Sequence, residues 1–170
     1  EIGVRLVGSE MCIRDRGISK QTVFINKTVL GDDIEDRICN YVPHGLNSDV
    51  FRPITELDKD YGKYLEFKNK VQGNADIDFT LFFNSRNIRR KQIPDSMLAF
   101  RGLLDSLPLE KALKCRFILH TEPSSEHGTN LVKVAELLFD EKYKECIIFS
   151  TAKLPPHELN YLYNIADAQI

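Results

Sequence analysis

The 170-residue chain lacks any excess of positive charge: 23 lysines and arginines stand against 25 aspartates and glutamates, giving a formal net charge of −2 and a pI near 6.1. With no broad basic surface to attract a polyanion, nucleic acid is not an expected partner. Long apolar runs are also missing. None approaches the roughly 20 residues that a membrane-spanning helix needs, and no basic start is followed by an apolar core and a cleavage site. No membrane span is expected, and the cytoplasm is the expected compartment. Cysteine is sparse: Cys12, Cys39, Cys115 and Cys146 are far apart, with no CxxC pair and no histidine at zinc spacing. They read as reduced, buried small hydrophobes, so neither a disulfide framework nor a metal site is expected. No GxGxxG, GxxxxGK[ST] or GxSxG string occurs, which removes support for dinucleotide, P-loop and serine-hydrolase chemistry.

What is present is 42% hydrophobic and 28% charged residues, the make-up of an ordinary globular domain. Residues 19–30 (SKQTVFINKTVL) mix β-branched content with helical spacing, and the reading leans to a helix with Ser19 as its N-cap. Residues 37–42 (RICNYV) read as a short strand ending at Pro43, and 43–49 as an ordered turn or linker. Residues 62–72 place Tyr64, Phe67, Lys68 and Val71 at helical spacing.

From there the pattern alternates regularly. Strands are expected at 77–84 (IDFTLFFN), 116–120 (RFILH) and 146–149 (CIIF). Between and after them come helices. One opens at Pro94 and carries Met97, Phe100, Leu103, Leu104 and Leu107 inward; another spans 130–139 with Leu131, Val134, Ala135 and Leu138 inward; a third spans 156–165 with Leu159, Leu162, Tyr163 and Ala166 on one stripe. Near-continuous apolar strands alternating with amphipathic helices are what a parallel sheet covered on both faces requires. The expected fold class is therefore α/β, a Rossmann-like parallel sheet with flanking helices.

In such a sheet ligands gather at the carboxyl ends of the strands. After the first strand comes SRNIRRK (85–91), four cations just before a helix N-terminus, a natural seat for a diphosphate. After the second comes TEPSSEHG (121–128), polar but without a legible nucleophile–base spacing, which reads as a surface loop. After the third, STAKLP (150–155) offers backbone groups and small side chains suited to a flat base. His44, beside Gly45 in a turn, reads as a residue that hydrogen-bonds its own loop.

In order and spacing, four stretches together resemble the two-domain, GT-B type glycosyltransferases of the group 1 family, related to glycogen synthase and sucrose synthase. VPHGLNSDVFRP (42–53) is similar to the family's interdomain linker. FFNSR through Lys91, followed by a helix with Ala99 and Phe100, is similar to its "F-V-G-R-x-x-x-x-K-G" strand, loop and helix. RFIL (116–119) stands at its "L-x-I-x-G" strand, and PHELNYLYNIADA (156–168) is similar to its "E-L-x-x-L-Y-x-x-A-D-V" helix.

The resemblance implies the incomplete C-terminal, donor-binding half of a GT-B fold. Residues 17–53 would be the tail of an N-terminal domain and the interdomain linker, with His44 and Gly45 at the hinge, and 54–170 a partial donor-binding domain. The remaining 1–16 contain EMCIRDR, which resembles a translated sequencing-library adapter; the alternative is an ordinary N-terminus, and neither carries chemistry.

By the same resemblance Arg86 and Lys91 would bind the donor diphosphate, and Thr151, Lys153 and Leu154 the donor nucleotide. The partners implied are a nucleotide-sugar and an acceptor that is a saccharide, lipid or protein. No cofactor is implied, and transfer would be retaining and metal-free. Two family glycines are replaced, by Ser85 before the arginine and Gln92 after the lysine. The family's paired catalytic glutamates would follow Ile170, so this stretch would not transfer sugar by itself. Two alternatives stay open: a non-catalytic Rossmann-like interaction module, and a sugar-nucleotide epimerase of similar fold.

Overall fold

The computed structural model describes residues 17–30, 41–73 and 75–170. The adapter-like segment, Cys12, Cys39 and most of the strand expected at 37–42 lie outside them. The chain divides into two compact units, one ending at Asn47 and the other running from Ser48 to Ile170. In the first, helix α1 (Lys20–Leu30) forms as expected. Ser19 accepts a hydrogen bond through Oγ from the Thr22 amide at 3.0 Å, which satisfies one of the free N–H groups of the first turn. Tyr41 and Val42 are in irregular structure.

The second unit is α/β. Helix α2 (Tyr61–Gln72) precedes strand β1 (Phe79–Asn84); then follow α3 (Ile93–Ser106), the single-turn α4 (Leu109–Ala112), β2 (Cys115–His120), α5 (Leu131–Leu138), β3 (Ile147–Ser150), α6 (Pro156–Ile165) and β4 (Ala168–Gln169). All pairings are parallel, and the strand order is β3-β2-β1-β4. The chain steps outward from β1 through β2 to β3, then returns to the other side of β1, the order change of a Rossmann-like sheet.

Period-two alternation sets the two faces. Leu81, Phe117 and Ile147 lie in one lateral row and Phe83, Leu119 and Phe149 in another, all packed with Met97, Phe100, Leu104 and Leu131 of α3 and α5. Phe82, Ile118 and Ile148 form the row between them and pack on the opposite face with Tyr64, Tyr161, Leu162 and Ile165 of α2 and α6. Fully burying one such side chain is worth about 1.5–3 kcal/mol, so these rows pin the register firmly.

Leu103 departs from expectation. It remains 38% exposed, because the inward stripe of α3 runs through Ile93, Met97, Phe100 and Leu104 and leaves Leu103 at its margin. The stripe of α6 forms as expected: the helix spans Pro156–Ile165, and Leu159, Leu162, Tyr163 and the C-cap Ala166 all pack into one cluster. Asp167 exchanges bonds with Thr80: its carboxylate accepts from the Thr80 amide at 2.7 Å, and its own amide donates to the Thr80 carbonyl at 2.9 Å. That exchange turns the chain into β4.

The stretch before α2 is fastened to α6 by two asparagines. Asn160 accepts from the Arg52 amide and donates to the Arg52 carbonyl, and Asn164 accepts from the Ile54 amide at 2.8 Å. The Arg52 guanidinium, 2.6 Å from Asp58, holds that carboxyl well below the usual carboxylate range. Arg52 is half exposed and Asp58 only partly so, and water screens the pair from the arginine side, so the pair orients the turn more than it stabilises the fold.

Candidate functional site

The apolar rows end abruptly at the carboxyl edge of the sheet. The next lateral row is Asn84, His120 and Ser150, directly opposite one another in the ladder. Beyond it no side chain of the sheet needs helical cover, and the three loops that leave β1, β2 and β3 enclose a cleft of about 690 Å³. That volume lies within the ~300–1,000 Å³ usual for small-molecule sites.

Each loop supplies one wall. The β1 loop gives Ser85, Arg86, Asn87 and Ile88; the β2 loop gives Thr121, Glu122, Ser125 and His127; the β3 loop gives Thr151, Ala152 and Lys153. The first two walls are locked together by Asn87, which is buried. Its Nδ2 donates to the Glu122 carbonyl at 3.1 Å and the Thr129 carbonyl at 2.7 Å, while its Oδ1 accepts from the Thr129 amide at 3.1 Å. The Arg89 amide adds a bond to the His127 carbonyl at 3.2 Å. Gly128 permits this approach: a Cβ there would lie 2.2 Å from Asn87 Oδ1 and 2.4 Å from the Asn87 carbonyl oxygen. The β2 loop is the largely exposed surface loop its polar sequence suggested, and through Thr121, Glu122, Ser125 and His127 it also forms a wall of the cleft.

Of the residues singled out from the sequence, Arg86, Thr151 and Lys153 line the cleft together. Lys91 does not. It lies in a one-turn 3-10 helix, Arg89–Lys91, and is exposed. Among the described residues none of the cations at 86–91 forms an ion pair, so Arg86 is free to meet a ligand anion. Leu154 is likewise outside the cleft lining and packs against the core between the sheet and α2/α6. His44 and Gly45 lie in the other unit and are exposed; Gly45 has open space where a Cβ would stand, so nothing in its surroundings requires glycine.

Gln92 stands where the resemblance leads one to expect a glycine. It sits between the 3-10 turn and α3 with φ 49° and ψ 40°, and it is the one non-glycine residue with positive φ among those described. A left-handed residue with a Cβ costs roughly 1–2 kcal/mol, so this position favours glycine for a backbone reason, and the chain carries glutamine there at some cost.

Asn84, His120 and Thr121 were not singled out from the sequence. Asn84 Nδ2 donates to the Tyr163 hydroxyl at 3.0 Å, and His120 Nδ1 is 3.0 Å from Ser150 Oγ. Burial lowers the His120 pKa from its ordinary 6.5, outweighing a smaller upward effect of a hydrogen bond with Ser150. Near neutral pH the ring is therefore uncharged.

A stability consequence follows from the lowered value. The folded chain refuses a proton that the unfolded chain accepts, so this group's contribution is full above pH 6.5 and is lost as pH falls below it. Urea unfolding at about pH 7.5 and about pH 5.5 is expected to show a smaller acid loss in His120→Gln than in the parent chain. Equal acid losses would refute the assignment.

No family model and no curated protein matches the chain. Among the described residues no helix is long and apolar enough to cross a membrane. What the molecule defines by itself is an α/β parallel-sheet protein with a polar cleft at the carboxyl edge of three adjacent strands.

Proposed function

We propose that this cleft binds the nucleoside diphosphate of a nucleotide-sugar, and that the chain is the donor-binding part of a glycosyltransferase. The observation that carries the reading is the convergence of Arg86 and Lys153 on one cleft at the strand ends, where the β1 and β3 loops face each other across the β2 loop. Two cations with no carboxylate partner among the described residues give a diphosphate the charge-assisted hydrogen bonds it needs. Glu122, on the same lining, offsets part of that charge, so the site suits a ligand with two phosphates and a neutral remainder better than a bare polyanion.

In the reaction the cations act electrostatically. As the bond between the sugar and the diphosphate breaks, negative charge grows on the leaving phosphate, and a guanidinium already positioned there stabilises it without reorganisation. The exposed Thr151–Lys153 stretch offers backbone groups to the base. The acceptor and the groups that complete transfer belong to the remainder of such an enzyme.

The test is isothermal titration of the full chain with the diphosphates and monophosphates of uridine, guanosine, adenosine and cytidine. One diphosphate is expected to bind at least about tenfold tighter than its monophosphate, a difference of about 1.4 kcal/mol for one more phosphate between two cations. Affinity should fall as salt rises. Failure of all four diphosphates to bind would defeat the reading.

A further inference from the structure

The cleft changes character from wall to wall. Cations stand on its two outer loops, Arg86 after β1 and Lys153 after β3, whereas the middle strand contributes His120 and, two residues on, Glu122. Because β2 lies between the other two strands, the exits of β1 and β3 are about 10 Å apart, two strand spacings. His120 is half-buried and lines the cleft, so a ligand can touch its ring. One ring nitrogen is already committed: Nδ1 is 3.0 Å from Ser150 Oγ, which fixes the ring from the neighbouring strand. The hydrogen bond with Ser150 favours the protonated ring, the sign of a nitrogen that donates, while burial keeps a second proton off. Nε2 then carries the lone pair and accepts. Glu122 is exposed, and as a carboxylate it also only accepts.

We propose that His120 and Glu122 bind the ribose of the nucleoside diphosphate, accepting hydrogen bonds from its 2′ and 3′ hydroxyls, and so make the cleft selective for ribonucleotides. The proposal rests on the diphosphate reading above and lays the ligand out across the three loops. With the phosphates at Arg86 and the base on the Thr151–Lys153 backbone, the ribose is the part that crosses β2. Lys153 still reaches the phosphates, because its ammonium rides on a long flexible stem. The chemistry of the middle strand agrees with this layout. Two acceptors match the two O–H donors of a vicinal diol, and a carboxylate past a strand end is how Rossmann-like sheets hold a ribose hydroxyl. A phosphate placed over β2 would instead meet a carboxylate and an acceptor nitrogen, and the like charge would repel it.

The experiment titrates the full chain with the best-binding of the four nucleoside diphosphates, its 2′-deoxy and 3′-deoxy forms, and pyrophosphate. In the parent chain each deoxy form is expected to bind about tenfold more weakly than the ribonucleotide, because one hydrogen bond is lost and its acceptor is left unpaired. His120→Ala and Glu122→Ala should each bring the preference at one of the two hydroxyls to within about twofold, and neither should weaken pyrophosphate. His120→Gln, whose amide oxygen stands in for Nε2, should restore the preference that His120→Ala removes. A parent chain that binds both deoxy forms as tightly as the ribonucleotide overturns the proposal with no variant needed, so a substitution that fails to fold does not leave it open. Discrimination that survives both alanine substitutions also overturns it, since the hydroxyls are then read elsewhere. Binding of no nucleoside diphosphate at all defeats the diphosphate reading and this proposal with it, an outcome distinct from binding without ribose preference.

Discussion

Gly128→Ala is expected to lower the unfolding free energy by about 2–4 kcal/mol, combining an overpacked contact with broken buried hydrogen bonds. The added methyl would sit 2.2, 2.4 and 2.5 Å from Asn87 Oδ1, the Asn87 carbonyl oxygen and Asn87 Cγ. A flexible side chain could swing away, but the carbonyl is main chain, and the Asn87 amide is held by three bonds to Glu122 and Thr129. Relief therefore requires the β1 and β2 loops to part, which strands the Glu122 and Thr129 carbonyls. Nothing about the Gly128 backbone angle is special; the demand is for space. The measurement is urea unfolding by linear extrapolation, where a change within about 0.5 kcal/mol of the parent would show that the two loops do not depend on this contact. Because the same loops carry Arg86 and Glu122, the substitution should also weaken ligand binding.

The sheet and its helices were legible because their causes are local and periodic. Strands β1, β2 and β3 and helices α2, α3, α5 and α6 each came within a few residues of the expected spans, since apolar runs and helical stripes are written into adjacent positions. The single-turn α4 and the two-residue β4 were not read, being too short to show a period. The cleft floor was invisible for a different reason. Asn84, His120 and Ser150 become neighbours only through strand register, across loops and helices that separate them widely in the chain. Asn87 and Gly128 are a similar case: an asparagine in a basic run and a glycine in a polar loop carry no local mark of the contact that joins them. Lys91 shows the converse, because closeness to Arg86 in sequence did not bring both to the cleft.

That separation makes the largest binding effect specific about which cations matter. Replacing Arg86 and Lys153 together with alanine is expected to weaken binding of the nucleoside diphosphate by about 100-fold, whereas Lys91→Ala should change it by less than about threefold. Each charge-assisted hydrogen bond to a phosphate contributes on the order of 1.5–3 kcal/mol, and exposure at the rim holds the value to the lower end, so two together give about 3 kcal/mol. The family resemblance gives the opposite pairing, Arg86 with Lys91, so the single and double variants discriminate between the cleft geometry and the motif spacing. None of these side chains is paired in the folded chain with a described residue, so their removal should leave urea midpoints unchanged and confine the effect to binding. Raising salt should shrink the loss in the double variant, because the interaction removed is electrostatic and solvent-accessible. A Lys91→Ala loss as large as that of Lys153→Ala would mean that the 3-10 turn swings toward the ligand on binding, and the cleft described here would then be an open form of the site.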